Sequence, residues 1–235
     1  MCSSDLALAS KVVFEGRRAV AVEYRLAGEP RMARASREVI LSGGAVNSPQ
    51  LLQLSGIGPG ALLRDHGIDP VLALAGVGAN LQDHLQVKCV YRCNRPITVN
   101  DDTRYLHRRI AMALRFALFR SGPMTISAGQ VGVFARSRPE VETADLQVHF
   151  LPLSTGKVLA GAPGTRLDLD SFPGVTASVC QLRPESRGTV TIASPDPAAA
   201  PAIRPHYLSS EVDRRTVIDG VKLIGRSAAQ PALAG

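Results

Sequence analysis

The chain has 235 residues, of which 45% are hydrophobic and 20% are charged, and it carries a formal net charge of +7. This length allows one large domain or two modest ones, with ample interior for a core. No apolar run is long enough to cross a bilayer, and the N-terminus lacks the charged and apolar segments of a secretory signal. The arginines are dispersed and tryptophan is absent, so we predict no nucleic-acid partner.

The four cysteines lack the paired spacing of a metal site. Cys89 and Cys93 would face the same side of a strand without being close enough to bridge. We therefore predict free, buried thiols, no metal site and a reducing, cytoplasmic compartment.

The N-terminal part of the chain has the pattern of a β-meander. Val13 alternates with Lys11 and Glu15 before a turn at Gly16. A second strand is predicted over residues 19–24 and a weaker third strand over residues 32–36.

The most informative stretch covers residues 38–59 and reads EVILSGGAVNSPQLLQLSGIGP. Residues 39–41 are wholly apolar, which is typical of a strand buried on both faces. Two adjacent glycines follow, and they let the backbone approach a ligand closely. Ser48 and Pro49 predict the start of a short helix, with a hydroxyl cap and then proline at the first helical position. An open α/β sheet presents a cofactor site at its strand ends in this way.

Two short segments follow. Residues 61–67 predict one or two helical turns that end at a glycine. Residues 76–84 read GVGANLQDH and place Asn80, Asp83 and His84 among glycines that permit tight turns. His84 is either catalytic or a structural residue that locks this loop by hydrogen bonds, and we favour the structural role.

The clearest helix comes after a predicted strand at residues 86–92, and Thr103 is its predicted N-cap. Its apolar side repeats at three- and four-residue steps and consists of Leu106, Ile110, Ala113, Leu114, Ala117 and Leu118. Arginines occupy several intervening positions. We expect a solvated outer helix of its domain, with a membrane-surface or partner helix as the alternative.

The rest of the chain predicts a sheet and a final helix. Strands are expected near residues 131–134, 146–152, 174–182 and 189–193, and a helix over residues 211–226. Residues 154–171 are rich in glycine and turn formers and predict a surface loop.

Two of these motifs, and a third stretch near the C-terminus, resemble the glucose-methanol-choline (GMC) flavoprotein oxidoreductases. Residues 44–58 resemble the second signature of that family, and residues 76–84 resemble its loop beside the flavin. Residues 186–209 resemble its C-terminal domain, with His206 where asparagine is usual. The resemblance covers nearly the whole chain from about Lys11 and corresponds to the middle portion of the family's chain.

The resemblance implies an α/β plus α+β fold. Part of a Rossmann-like FAD-binding domain would cover residues 1–87, and a mostly antiparallel-sheet substrate domain with helices, truncated at its C-terminus, would cover residues 88–235. FAD is the implied cofactor, and the candidate cofactor-binding residues are Gly43, Gly44, Ala45, Ser48, Asn80 and Leu81. Gln130 and His149 match substrate-pocket positions of choline-oxidising relatives. A glutamate commonly matches Gln130 there, so the missing charge weakens a choline assignment.

In this family a C-terminal histidine takes the hydroxyl proton while the substrate carbon passes hydride to flavin N5. That histidine matches no residue of this chain, and no Gly-x-Gly-x-x-Gly loop for the FAD pyrophosphate occurs. We therefore expect a fragment of an FAD-dependent alcohol or choline dehydrogenase, without a catalytic residue of its own and inactive alone. Its partner would be a small-molecule alcohol.

The residues identify no electron acceptor and leave peripheral membrane association open. The alternative function is a non-catalytic interaction module derived from the substrate domain.

Overall fold

The computed structural model describes residues 7–125, 129–155 and 168–234. The strands are β1 (Ala7–Glu15), β2 (Arg18–Leu26), β3 (Glu29–Arg34), β4 (Ile57–Gly58), β5 (Leu72–Ala73), β6 (Gln86–Arg92), β7 (Val131–Ala135), β8 (Leu146–Leu151), β9 (Gly174–Gln181), β10 (Thr189–Thr191) and β11 (Ala202–Arg204). The helices are α1 (Gly44–Leu54), α2 (Gly60–Asp65), α3 (Val99–Arg104), α4 (Leu106–Phe119), α5 (Glu211–Ala228) and α6 (Pro231–Ala234). This mixture of helices and antiparallel sheets agrees with the predicted fold class.

The described residues form two compact units. The first unit combines the described part of Met1–Asp83 with Ser186–Ser209, and the second combines the described part of His84–Glu185 with that of Ser210–Gly235. The chain therefore leaves the first unit after Asp83 and returns to it for β10 and β11.

The first unit opens with the predicted antiparallel meander of β1, β2 and β3. Gly16 begins the turn between β1 and β2 with a φ of 62°, and Ala27 and Gly28 form the next turn with φ of 54° and 87°. Turns with positive φ at these positions match the right-handed twist of the paired strands. Val12 and Ala21 are buried on the first two strands.

The predicted buried strand at residues 39–41 is wrong. These residues form no strand, and Ile40 is 76% exposed. A strand requires neighbours that satisfy its backbone N–H and C=O groups, and no described strand pairs with this segment. The apolar composition of residues 39–41 favours burial, but it does not ensure that another strand lies beside them.

Helix α1 begins earlier than Ser48 and Pro49 predict. Gly43 is the N-cap, and both Ser48 and Pro49 lie inside the helix. Gly44 has a φ of 76°, a left-handed conformation that glycine adopts without steric cost. The chain direction changes at this glycine, so the helix starts there and not at the proline.

The second unit contains a four-stranded antiparallel sheet in the order β6-β9-β8-β7. One face of this sheet forms the core, where Leu146, Ala177 and Val179 pack with Ile224 of α5. Gly220 allows the helix to approach, because an added Cβ would lie 2.7 Å from Val179 Cγ2.

The helix predicted from Thr103 is two helices. Thr98 caps α3 through a capping box, in which its N–H and hydroxyl donate to Asp101 Oδ2 at 3.1 and 2.8 Å. Tyr105 has an extended backbone and separates α3 from α4. Thr103 lies within α3 and donates to the Val99 carbonyl at 2.9 Å. The predicted N-cap is therefore wrong, because the Thr98 box satisfies the N–H groups one turn earlier.

The described cysteines are free. Cys180 is buried, whereas Cys89 and Cys93 are half-buried. The predicted loop over residues 154–171 lies largely outside the described residues, as does Cys2. Among the helices in the described ranges, none has both the length and the apolarity to cross a membrane.

Candidate functional site

The start of α1 presents three of the predicted cofactor-binding residues. Gly43, Gly44 and Ala45 are exposed, whereas Ser48 is half-buried one turn further along. No side chain caps this helix start, and its first turn contains no acidic residue. The backbone N–H groups of a helix's first turn have no partner inside the helix and attract acceptor oxygens. An added Cβ at Gly43 would lie 3.1 Å from Asn47 Cβ, so glycine fits this turn best.

Gln53, at the other end of α1, ties this helix to the rest of the first unit. Its side chain is fully buried. Nε2 donates to the Val77 carbonyl at 3.2 Å and to the Val190 carbonyl at 3.0 Å. Oε1 accepts the Ile192 N–H at 2.7 Å. A single amide therefore joins the helix, the loop at residues 76–84 and β10.

The loop at residues 76–84 lies against β10 through its backbone. The Gly78 carbonyl accepts the Val190 N–H at 2.7 Å, and Leu81 exchanges two hydrogen bonds with Gly188, at 2.9 and 2.8 Å. An added Cβ at Gly78 would overlap the Val190 carbonyl oxygen, and the φ of Gly78 is 81°. Asn80 also has a left-handed backbone, with a φ of 63°, and is exposed.

Asp83 and His84 close this loop. Asp83 accepts a hydrogen bond from the Tyr207 hydroxyl, and this bond is the main cause that raises the pKa of Tyr207 to about 12. Burial and the Asp83 charge raise it further. His84 Nε2 lies 3.1 Å from the Leu182 carbonyl oxygen. This contact fits the structural role that we favoured for His84.

The two predicted substrate-pocket residues lie on one face of the four-stranded sheet. His149 on β8 is paired with Gly132 on β7 and with Ser178 on β9, and cross-strand partners share a face. Gln130 immediately precedes β7, and its N–H donates to the Phe150 carbonyl at 3.2 Å. Extending the alternation of β7 by one residue puts Gln130 on the same face as Gly132. The core packs on the opposite face. We call the face that carries Gln130, His149 and Ser178 the polar face.

The polar face contains further hydrogen-bonding groups that the sequence did not single out. Ser178 Oγ donates to Gln86 Oε1 at 2.9 Å. By register, Lys88 on β6 is opposite Ser178. In the sequence, these groups could have been noticed as the polar positions of the alternating residues 86–92. That alternation predicted the strand, but it did not show which strand pairs with it.

Sequence reasoning also missed Gln53. The sequence feature that could have identified it is its position as a polar residue among Leu51, Leu52 and Leu54. The structure brings α1 together with the loop of Asn80 and Leu81 through this side chain. It places Gln130 and His149 in the other unit, on the polar face.

Sequence models of the GMC oxidoreductase family match this chain twice. The N-terminal domain model matches residues 5–86 and the C-terminal domain model matches residues 184–235. The chain is 40% identical over 208 residues to an oxygen-dependent choline dehydrogenase of Brucella canis, covering 87% of this chain and 36% of that protein. It is 41% identical over 230 residues to the human mitochondrial choline dehydrogenase, covering 97% and 37%. The chain thus spans little more than a third of these relatives.

Solved structures give the same grouping. A formate oxidase has 26% identity and a TM-score of 0.80, over 93% of this chain and 42% of that one. A variant of the Aspergillus oryzae formate oxidase, solved to examine FAD modification, has 24% identity and a TM-score of 0.84, over 97% and 44%. The signature at residues 44–58, the loop at residues 76–84 and both domain matches agree, and the chain belongs to the GMC oxidoreductase family, whose cofactor is FAD.

Proposed function

We propose that this chain is the middle portion of an FAD-dependent oxidoreductase that acts on CH–OH donors. In this proposal the first unit contributes to the flavin site, and the polar face of the second unit contributes to alcohol binding. The observation that carries the proposal is the assembly around Gln53. It holds the signature helix and the glycine loop together, although neither motif by itself forms a site.

The residues at the start of α1 fit FAD. The uncapped first turn offers N–H donors, and the glycines at 43 and 44 leave room for close approach. The left-handed backbone at Asn80 exposes the loop between Gly78 and Leu81. Gly43, Gly44, Ala45, Ser48, Asn80 and Leu81 are therefore our candidates for cofactor contacts. When bound, FAD would supply the hydride acceptor.

Gln130 and His149 are our candidates for contacts with the alcohol. Both offer hydrogen-bonding groups that orient a hydroxyl. None of the chain's five histidines is our candidate for the base that takes the hydroxyl proton. We therefore expect no alcohol oxidation by this chain alone.

A chimaera tests this proposal. The chain would replace the matching segment of the Brucella canis relative, with that protein's own flanking segments on both sides. We expect the chimaera to retain FAD through gel filtration and to oxidise a primary alcohol, whereas the 235-residue chain does neither. A chimaera that is folded but does not bind FAD would contradict the cofactor assignment. Alcohol oxidation by the chain alone would contradict the claim that it is incomplete.

The same chimaera tests substrate class through Gln130. Gln130→Glu adds a carboxylate that attracts a quaternary ammonium group. We expect the ratio of kcat/KM for choline to that for an uncharged primary alcohol to rise about tenfold, as one partly desolvated ion pair would give. Gln147→Glu on β8 is the control on the same face of the sheet, two residues from His149, where Gln147 is half-buried and Gln130 is exposed. An equal rise in both variants would show a general charge effect and contradict a role for Gln130.

A further inference from the structure

Helix α4 exposes its most apolar side to solvent. None of its residues is buried. Four residues spaced one turn apart, which we call the leucine stripe, are 69%, 51%, 55% and 71% exposed: Leu106, Ile110, Leu114 and Leu118. The half-buried residues are Arg108, Met112 and Phe116, which recur four apart on the other side of the helix. The leucine stripe therefore lies on the side of α4 opposite its half-buried residues.

Positive charge surrounds the leucine stripe. At 100° per residue, Arg109 and Arg115 lie along its two edges. Arg104 precedes the helix, and Arg120 ends it as the C-cap. Residues 103–139 contain no aspartate or glutamate. Arginine side chains beside an apolar surface extend their charged ends past it toward a polar layer.

The inner side of α4 already has its contacts. Arg108 donates to the Pro96 carbonyl at 3.2 Å and lies 3.8 Å from Asp102. At one edge of the leucine stripe, Arg115 Nε donates to Ser121 Oγ at 3.1 Å. The leucine stripe makes none of these contacts and is already exposed, so docking through it would leave them in place.

We propose that α4 docks this protein on the surface of a bilayer that contains anionic lipid. The stripe would enter the boundary between headgroups and acyl chains, and the arginines would contact lipid phosphates and carboxylates. The 14 residues of α4 extend about 21 Å, less than the roughly 30 Å hydrocarbon core, so the helix would lie along the surface. A second copy of the chain is a poorer occupant, because it would bring together two apolar stripes that are both flanked by arginines.

A tryptophan reporter tests the insertion of the stripe. The chain has no tryptophan, so Leu114→Trp would be its only one. Met32→Trp on β3 is the matched control, because Met32 is 51% exposed and Leu114 is 55% exposed. With phosphatidylserine–phosphatidylcholine vesicles we expect a blue shift in the emission of Leu114→Trp and none for Met32→Trp. No shift at Leu114, or equal shifts at both sites, would overturn the proposal.

Cosedimentation with the same vesicles tests the charge. We expect Arg109→Gln with Arg115→Gln to weaken binding about thirtyfold, whereas Arg17→Gln with Arg18→Gln, at an exposed turn, leaves it nearly unchanged. Binding should weaken with added salt and be absent for pure phosphatidylcholine. Equal loss in both pairs would overturn the proposal.

Leu114→Gln with Leu118→Gln tests the apolar contact, with an expected loss on the order of a hundredfold. Circular dichroism checks that this variant is folded. Size-exclusion chromatography with light scattering distinguishes self-association. A dimer that this variant converts to monomer, without vesicle binding by the parent chain, would overturn the proposal. None of these outcomes depends on FAD or on alcohol oxidation.

Discussion

Gln53 and Val190 are hydrogen-bonded at 3.0 Å although they lie 137 residues apart in the chain. The bond joins the end of the signature helix to a strand that follows the first segment of the second unit, His84–Glu185. Because Gln53 also bonds Val77 and Ile192, the geometry of the candidate flavin site depends on one buried amide.

Gln53→Ala should destabilise the protein strongly. It would leave the Ile192 N–H and two backbone carbonyls without this partner, and each unsatisfied buried group costs about 1–3 kcal/mol. We expect a loss of about 3 kcal/mol or more in the free energy of unfolding, measured by urea denaturation. Gln50→Ala is the control, since Gln50 makes one bond, to the Ala199 carbonyl at 2.9 Å, and should cost about 1 kcal/mol. Equal losses would contradict the role assigned to Gln53.

Gly78→Ala should disrupt the contact between the loop and β10. The new Cβ would overlap the Val190 carbonyl oxygen and the Gln53 amide, and the φ of 81° disfavours a side chain. We expect a loss of at least about 2 kcal/mol by urea denaturation. Gly76→Ala, in the same loop, meets no atom within 4 Å and should be nearly neutral. Similar stabilities for the two variants would refute this account of the loop.

Gly220→Ala and Gly225→Ala should have opposite effects within α5. Alanine is favoured over glycine in a helix by about 1 kcal/mol, and an added Cβ at Gly225 meets nothing within 4 Å. At Gly220 it would lie 2.7 Å from Val179 Cγ2 and 3.1 Å from Leu146 Cδ2. Thermal denaturation should show a higher Tm for Gly225→Ala and a lower one for Gly220→Ala. A gain at both sites would mean that α5 packs less closely than the structure shows.

The hydrogen bond from Tyr207 to Asp83 should give the stability a pH dependence at alkaline pH. Folding raises the pKa of Tyr207 from 10.0 to about 12, so the folded state favours the protonated phenol. The stabilisation is therefore complete below about pH 10 and is lost as the pH rises toward 12. Tyr207→Phe should cost about 1 kcal/mol at neutral pH and progressively less across that window.

Asp83→Asn isolates the cause of this shift. Without the carboxylate, Tyr207 should ionise closer to pH 10.0. Ultraviolet absorbance of the tyrosinates, compared with Tyr207→Phe to assign the signal, measures this change. An unchanged titration would show that burial, and not Asp83, raises the pKa.

Local patterns in the sequence were enough to predict much of the secondary structure. The meander, β6, the sheet strands and α5 follow from alternation and helical periodicity, which are properties of neighbouring residues. The resemblance of residues 44–58 and 76–84 to GMC motifs identified the family, and the domain matches confirm it. Local patterns gave a wrong prediction where the structure depends on contacts with other segments. At residues 39–41 the apolar run predicted a strand, but no described strand pairs with it.

The tertiary structure alone decided which residues meet. Gln53 reaches β10 because residues 186–209 return to the first unit, and no local pattern encodes a contact across 137 residues. Strand register placed His149 on the polar face, and extending the alternation of β7 by one residue puts Gln130 there as well. The stretch at residues 38–59 by itself thus identified a family motif and its two glycines, but it misplaced the start of the helix, which lies at Gly43 and Gly44. The hydrogen bonds from the buried Gln53 amide that hold this helix form only in the folded chain, because hydrogen bonds between distant segments depend on packing and not on sequence spacing.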